Sequence, residues 1–125
     1  MKEEAKLVGN GRILIVEDDD SIVEILSLML SDYDFVIAKD GGKAVQLYKI
    51  YKPDVVLMDL VLPVMNGIEA TKKILETDPD AKIIGVTAFG RKLGKDLLEA
   101  GALEIMIKPF RKKDLVGVVE KYLNR

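Results

Sequence analysis

Apolar residues along this chain fall into two alternating kinds of block. Short runs of strand length at 13–16 (ILIV), 35–38 (FVIA), 55–58 (VVLM), 83–86 (IIGV) and 105–107 (IMI) are separated by longer stretches. In those stretches, at 20–31, 42–51, 66–76, 92–100 and 112–123, apolar positions recur at helical spacing. Turn signals punctuate the blocks at Gly41-Gly42, Pro53-Asp54, Asn66-Gly67, Asp78-Pro79, Gly101 and Pro109. The strand runs are continuous rather than alternating, which is the pattern of a parallel sheet covered by helices on both faces. Five such βα units predict an α/β fold of the open, doubly wound kind: a five-stranded parallel sheet as the middle of three layers. They are too few for an eight-stranded barrel, which takes about 250 residues. Residues 1–11 are polar, end in Gly9-Asn10-Gly11 and read as a flexible arm, and 12–125 read as a single domain.

Composition narrows the chemistry. A length of 125 residues suits one core, and 49% hydrophobic with 32% charged residues is a globular rather than a disordered composition. No apolar run approaches the roughly 20 residues of a spanning helix, and the first residues lack the apolar stretch of a signal peptide. The expectation is a soluble, cytoplasmic protein with no membrane partner. With no Cys and no His, disulfides, thiol catalysis, imidazole acid-base chemistry and zinc sites are excluded. A net charge of −2 disfavours direct DNA binding through the whole surface.

In open α/β sheets ligands bind at the carboxyl ends of the strands, so the first polar residue after each apolar run matters most. Those residues are Glu17-Asp18-Asp19-Asp20 after the first run, Lys39-Asp40 after the second, Asp59 after the third, Thr87 with Ala88 after the fourth, and Lys108 after the fifth. Singly each has an ordinary role: acids cap helices, Thr suits strands, Lys108-Pro109 and Asn66-Gly67 make turns. Together, Glu17, Asp18, Asp59, Thr87 and Lys108 meet at one rim if the sheet is built as described. Two carboxylates about 4 Å apart near a protein surface repel by up to roughly 4 kcal/mol, so a cation is needed. Oxygen-only ligands select Mg²⁺, with Mn²⁺ able to substitute. A carboxylate beside Mg²⁺, an ammonium and a hydroxyl is a set suited to binding or accepting a phosphoryl group, and Asp59, alone in its loop, is the candidate nucleophile.

The stretches RILIVEDDD, VVLMDLVLPVMNG, IIGVTAFG and AGALEIMIKPF, in this order and spacing over residues 12–123, resemble the receiver domains of two-component response regulators of the stand-alone, CheY-like type. The resemblance implies a flavodoxin-like (βα)5 sandwich with strand order 2-1-3-4-5. It implies that Asp59 is the phosphoacceptor, that Asp18 binds Mg²⁺ directly and Glu17 through water, and that the backbone carbonyl of Val61 is a further ligand. Lys108 would pair with the phosphoryl oxygens, the Thr87 hydroxyl and the Ala88 N–H would hold another, and the Lys108–Pro109 bond would be cis. The donor would be a phosphohistidine on a sensor histidine kinase or phosphotransfer protein, or a small acyl phosphate. The protein would be a signalling switch that catalyses only its own phosphorylation and dephosphorylation, not an enzyme in the ordinary sense.

Some positions depart from the family pattern. The aromatic residue that normally stands three positions before the lysine is Ile105, so coupling is expected to run through the loop and helix after Thr87, with Ile105 a fixed apolar contact. The positions two after Asp59 and two after Thr87 are Val61 and Phe89, neither able to orient a water, which predicts slow autodephosphorylation. Arg91, Lys92 and Lys95 open the fourth helix and Arg111, Lys112 and Lys113 the fifth. With Ile105 these form an expected effector-docking face on the fourth helix, fifth strand and fifth helix, for an acidic partner. A monomer or weak dimer with a separate effector molecule is expected. The competing reading, a small Mg²⁺-dependent phosphatase or phosphotransferase with an aspartyl phosphate intermediate, needs a second Asp where Val61 stands.

Overall fold

The computed structural model describes residues 11–88 and 91–123. Five strands and five helices alternate: β1 Arg12–Val16, α1 Asp20–Met29, β2 Asp34–Ala38, α2 Gly41–Tyr51, β3 Val55–Met58, α3 Gly67–Thr77, β4 Ile83–Thr87, α4 Arg91–Ala100, β5 Glu104–Ile107 and α5 Lys112–Leu123. The strands are all parallel in the order β2-β1-β3-β4-β5. This is the expected doubly wound (βα)5 sandwich.

The pleat sorts alternate residues of each strand to the two faces. From β1, β3 and β4, Leu14, Val16, Val56, Met58 and Ile83 face one way and pack with Ala44 and Tyr48 of α2, Ala70 and Ile74 of α3 and Leu97 of α4. Ile13, Ile15, Val55, Leu57, Ile84 and Val86 face the other way, onto Leu26 of α1 and Leu115 and Val119 of α5. Each fully buried aliphatic side chain is worth roughly 1.5–3 kcal/mol, so the two cores together hold the helices to the sheet. The three central strands are almost wholly buried, whereas β2 and β5, at the edges, are half-buried.

Element ends depart from the apolar runs where polar residues extend or stop them. Arg12 and Asp34 join their strands because the Arg12 guanidinium donates to Asp34 Oδ2 from Nε (2.9 Å) and Nη2 (2.8 Å) across the paired positions. Gly11, assigned from sequence to the arm, is tied to the sheet: its carbonyl accepts from Asp34 N at 3.3 Å, and its φ of 84° suits glycine. Residues 1–10 lie outside the described residues. Helix α1 stops at Met29, two residues before the expected end, where Leu30 leaves helical geometry and its N–H bonds back to Leu26 O. Asp19, Asp40 and Asn66 cap α1, α2 and α3 by accepting from backbone N–H groups of the first turn. Asn66 therefore precedes α3 rather than opening it.

Candidate functional site

The parallel register brings the strand ends level. Val16 pairs with Ala38 on one side and Met58 on the other, and the ladder continues one step further: Glu17 N donates to Ala38 O (3.0 Å) and Asp59 N to Val16 O (3.1 Å). Thr87 pairs with Ile107, and Lys108 N donates to Thr87 O (2.8 Å). Backbone pairing thus fixes Glu17, Asp59 and Lys108 at one rim, although 91 positions separate the first from the last.

The carboxylates of Glu17, Asp18 and Asp59 offer oxygens within 4.8 Å of one another. Glu17 and Asp59 are buried, at 3% and 7% exposure, while Asp18 faces solvent. Lys108 Nζ is 2.7 Å from Glu17 Oε1 and 3.8 Å from Asp59 Oδ2. Asp59 Oδ1 accepts from Leu60 N at 2.8 Å. Burial, and next the Glu17 charge, push the Asp59 carboxyl up to about 6, against the opposing pull of Lys108 and the Leu60 N–H. Thr87 is fully buried beside this cluster's strand ends and Ala88 follows it on the surface. The Lys108–Pro109 bond is cis.

The donor set fits a hard divalent cation. It is all oxygen, it is concentrated at one point, and its three carboxylates outnumber the ammonium of Lys108, the one in reach among the described residues. The other acids of the 17–20 run are otherwise engaged: Asp19 Oδ1 accepts from Ser21 N (2.8 Å) and Ile22 N (3.3 Å), and Asp20 pairs with Lys39.

The model of the response regulator receiver domain family matches residues 13–120. The chain belongs to that family. Among the relatives of this receiver domain, the chemotaxis protein CheY of Thermotoga maritima is 37% identical over 114 residues, covering 88% of this chain and 95% of that protein. The DNA-binding response regulator MtrA of Mycolicibacterium smegmatis is 38% identical over 117 residues, and the match covers 91% of this chain but 51% of MtrA. In three dimensions the receiver domain resembles that of the sensor histidine kinase PA1611 from Pseudomonas aeruginosa PAO1, with a TM-score of 0.87 at 28% identity over 94% of this chain and all of that one. That structure was solved with a magnesium ion coordinated in its active-site cleft.

Several residues that build the receiver domain's site escape sequence reasoning. A Cβ on Gly67 would lie 2.1 Å from Asp59 O, and Gly67 N donates to Leu60 O (2.9 Å). Only glycine lets the start of α3 sit this close beneath the loop that follows β3, so Asn66-Gly67 is more than a turn. Gly41 does the same for α2, where a Cβ would meet Met65 O at 2.0 Å. Ile105, expected to be a fixed apolar contact on the docking face, is half-buried and packs against the core: Cβ atoms at Gly85 and Gly94 would meet it at 2.6 and 3.4 Å. The exposed apolar residue of β5 is Ile107. Phe89 and the side chains of Arg91 and Lys92 lie outside the described residues. No described helix is long and apolar enough to cross a membrane.

Proposed function

We propose that this receiver domain accepts a phosphoryl group on Asp59, in a Mg²⁺-dependent reaction, and thereby switches protein–protein interactions in two-component signalling. The observation that carries the reading is the convergence of Glu17, Asp18 and Asp59 within 4.8 Å, with Lys108 reaching both buried acids. Glu17, Asp18, Asp59 and the Val61 carbonyl are the groups that would hold the metal; bound there, Mg²⁺, or Mn²⁺ in its place, supplies positive charge to the phosphoryl oxygens.

At neutral pH Asp59, with its carboxyl near 6, is mostly ionised yet more basic than an ordinary aspartate. Its carboxylate oxygen attacks the phosphorus of a phosphohistidine or a small acyl phosphate. The bond from phosphorus to the donor nitrogen or oxygen breaks, and the leaving group keeps the electron pair, the imidazole taking its proton from solvent. Lys108 neutralises charge on the transferring group, and the Thr87 hydroxyl with the Ala88 N–H holds another of its oxygens. The loop after Thr87 then carries the change to α4. The proposed effector face takes in α4, β5 and the start of α5, where Lys95, Arg111, Lys112 and Lys113 are exposed and Leu98, Leu103 and Ile107 are 45%, 45% and 51% exposed. Such a face suits an acidic partner, bound in a salt-dependent way.

Wild type and Asp59→Asn, each incubated with a phosphorylated histidine kinase or acetyl phosphate and Mg²⁺, test the reading. Label should enter the wild type alone and require Mg²⁺. Equal label in both proteins would remove Asp59 from its role.

A further inference from the structure

The loop between β3 and α3 holds a strained residue whose side chain the fold leaves in water. Met65 N donates to Pro63 O at 2.7 Å, and Val64 between them has a φ of 67°. A bond from residue i+2 back to residue i around a positive φ is the rare, strained kind of γ-turn. A β-branched side chain is among the least suited to that conformation. Both flanks hold the turn in place. Met65 O lies 2.0 Å from where a Cβ on Gly41 would stand, and Gly67, close against Asp59 O, ties the end of the loop to Leu60 O. Glycine or asparagine at position 64 would meet the same geometry with less strain. The valine gives little to the packing in return, since it is 87% exposed.

Strain kept next to a site, for a side chain that the fold does not bury, points to a contact outside the molecule. Val61, on the same loop, is 52% exposed, while Asp59 at the start of that loop is 7% exposed. A protein that brings a phosphohistidine to so recessed a carboxylate must rest its own surface on what stands around it. We infer that Val64, with Val61, forms an apolar lip on which the protein carrying the phosphohistidine docks, and that Val64 favours a protein donor over a small one. Acetyl phosphate has no surface beyond its reacting group with which to cover Val64. The inference rests on the phosphorylation of Asp59 proposed above. It places donor docking on the loop between β3 and α3, apart from the effector face on α4, β5 and α5.

Phosphorylation rates of the full chain with two donors test this, both with Mg²⁺: acetyl phosphate, and a histidine kinase chosen because its phosphorylated form labels wild type. Wild type, Val64→Asn, Val64→Gly and Ile50→Asn are compared. Asparagine adds no charge, and Ile50, 70% exposed near the far end of α2, controls for the loss of a surface aliphatic side chain. With the kinase both Val64 variants should be phosphorylated at least about fivefold more slowly than wild type, the scale of one aliphatic side chain lost from an interface. With acetyl phosphate they should stay within about twofold, and Ile50→Asn should match wild type with both donors. Urea unfolding should give Val64→Asn a higher midpoint than wild type, because the strain is relieved. Equal rates with the kinase, an equal loss with both donors, or a lower midpoint for Val64→Asn would overturn the inference. A wild-type dimer in sedimentation that Val64→Asn abolishes would give the lip to a second copy and overturn it too. Label entering Asp59→Asn as readily as wild type would overturn the phosphorylation of Asp59 and this inference together.

Discussion

Four consecutive acids, Glu17 to Asp20, share a charge and almost a structure, yet each does different work. Glu17 is buried on Lys108, Asp18 stands at the surface of the carboxylate cluster, Asp19 caps α1, and Asp20 pairs with Lys39. Which acid does which was legible in the sequence only through family resemblance, because the assignment depends on where the backbone turns after Val16. The division of labour predicts separable effects. Asp19→Ala should cost about 1 kcal/mol of stability in denaturant unfolding and leave Mg²⁺ binding in place, whereas Asp18→Asn should abolish Mg²⁺ binding with little loss of stability. Asp59 has its carboxyl raised by folding from 3.8 to about 6, so the fold holds that proton more tightly than the unfolded chain. The contribution is present in full below 3.8 and is lost as pH rises through about 6. In metal-free buffer the melting temperature of wild type should therefore fall relative to Asp59→Asn between about pH 4.5 and about pH 7.5. A difference that does not change with pH would contradict the burial of this carboxylate beside Glu17.

Elements were more legible than their ends. Continuous apolar runs located all five strands because burial on both faces leaves no polar alternation to confuse them. The exceptions are physical: Arg12 and Asp34 extend β1 and β2 through an ion pair that no hydrophobic pattern announces, and Ile105 packs inward because Gly85 and Gly94 leave it room. Glycine at the start of α3 was visible as a turn, but its reason, contact with the Asp59 carbonyl, exists only once the chain is folded. Gly67→Ala should destabilise by more than the roughly 1–3 kcal/mol of ordinary overpacking, because the clash is with backbone, and should weaken Mg²⁺ binding by displacing Asp59. A variant as stable as wild type would show that the loop yields freely. Further along the same helix, the Thr71 hydroxyl is fully buried and has no hydrogen-bond partner among the described residues. Thr71→Val, nearly the same shape, should raise stability by about 1 kcal/mol in denaturant unfolding, with phosphorylation unchanged.

At the scale of the whole molecule, the periodicity established a parallel α/β sheet, and the strand order followed from the resemblance. The convergence of the rim residues needed both: strand ends predicted from the runs meet only when β3 is central, with β1 and β2 on one side and β4 and β5 on the other. Charge distribution belongs to this scale too. Lys112 and Lys113 stand exposed at the start of α5, so neutralising them together should weaken effector binding most at low ionic strength, with little effect on phosphorylation. The central claim is that this rim delivers one phosphoryl group to one side chain. Intact mass followed by peptide mapping of the protein treated with acetyl phosphate measures it most directly. One phosphoryl group per chain, on the peptide containing Asp59, only with Mg²⁺ and absent from Asp59→Asn, is the predicted result; a phosphoryl group elsewhere, or one that forms equally without Mg²⁺, would contradict it.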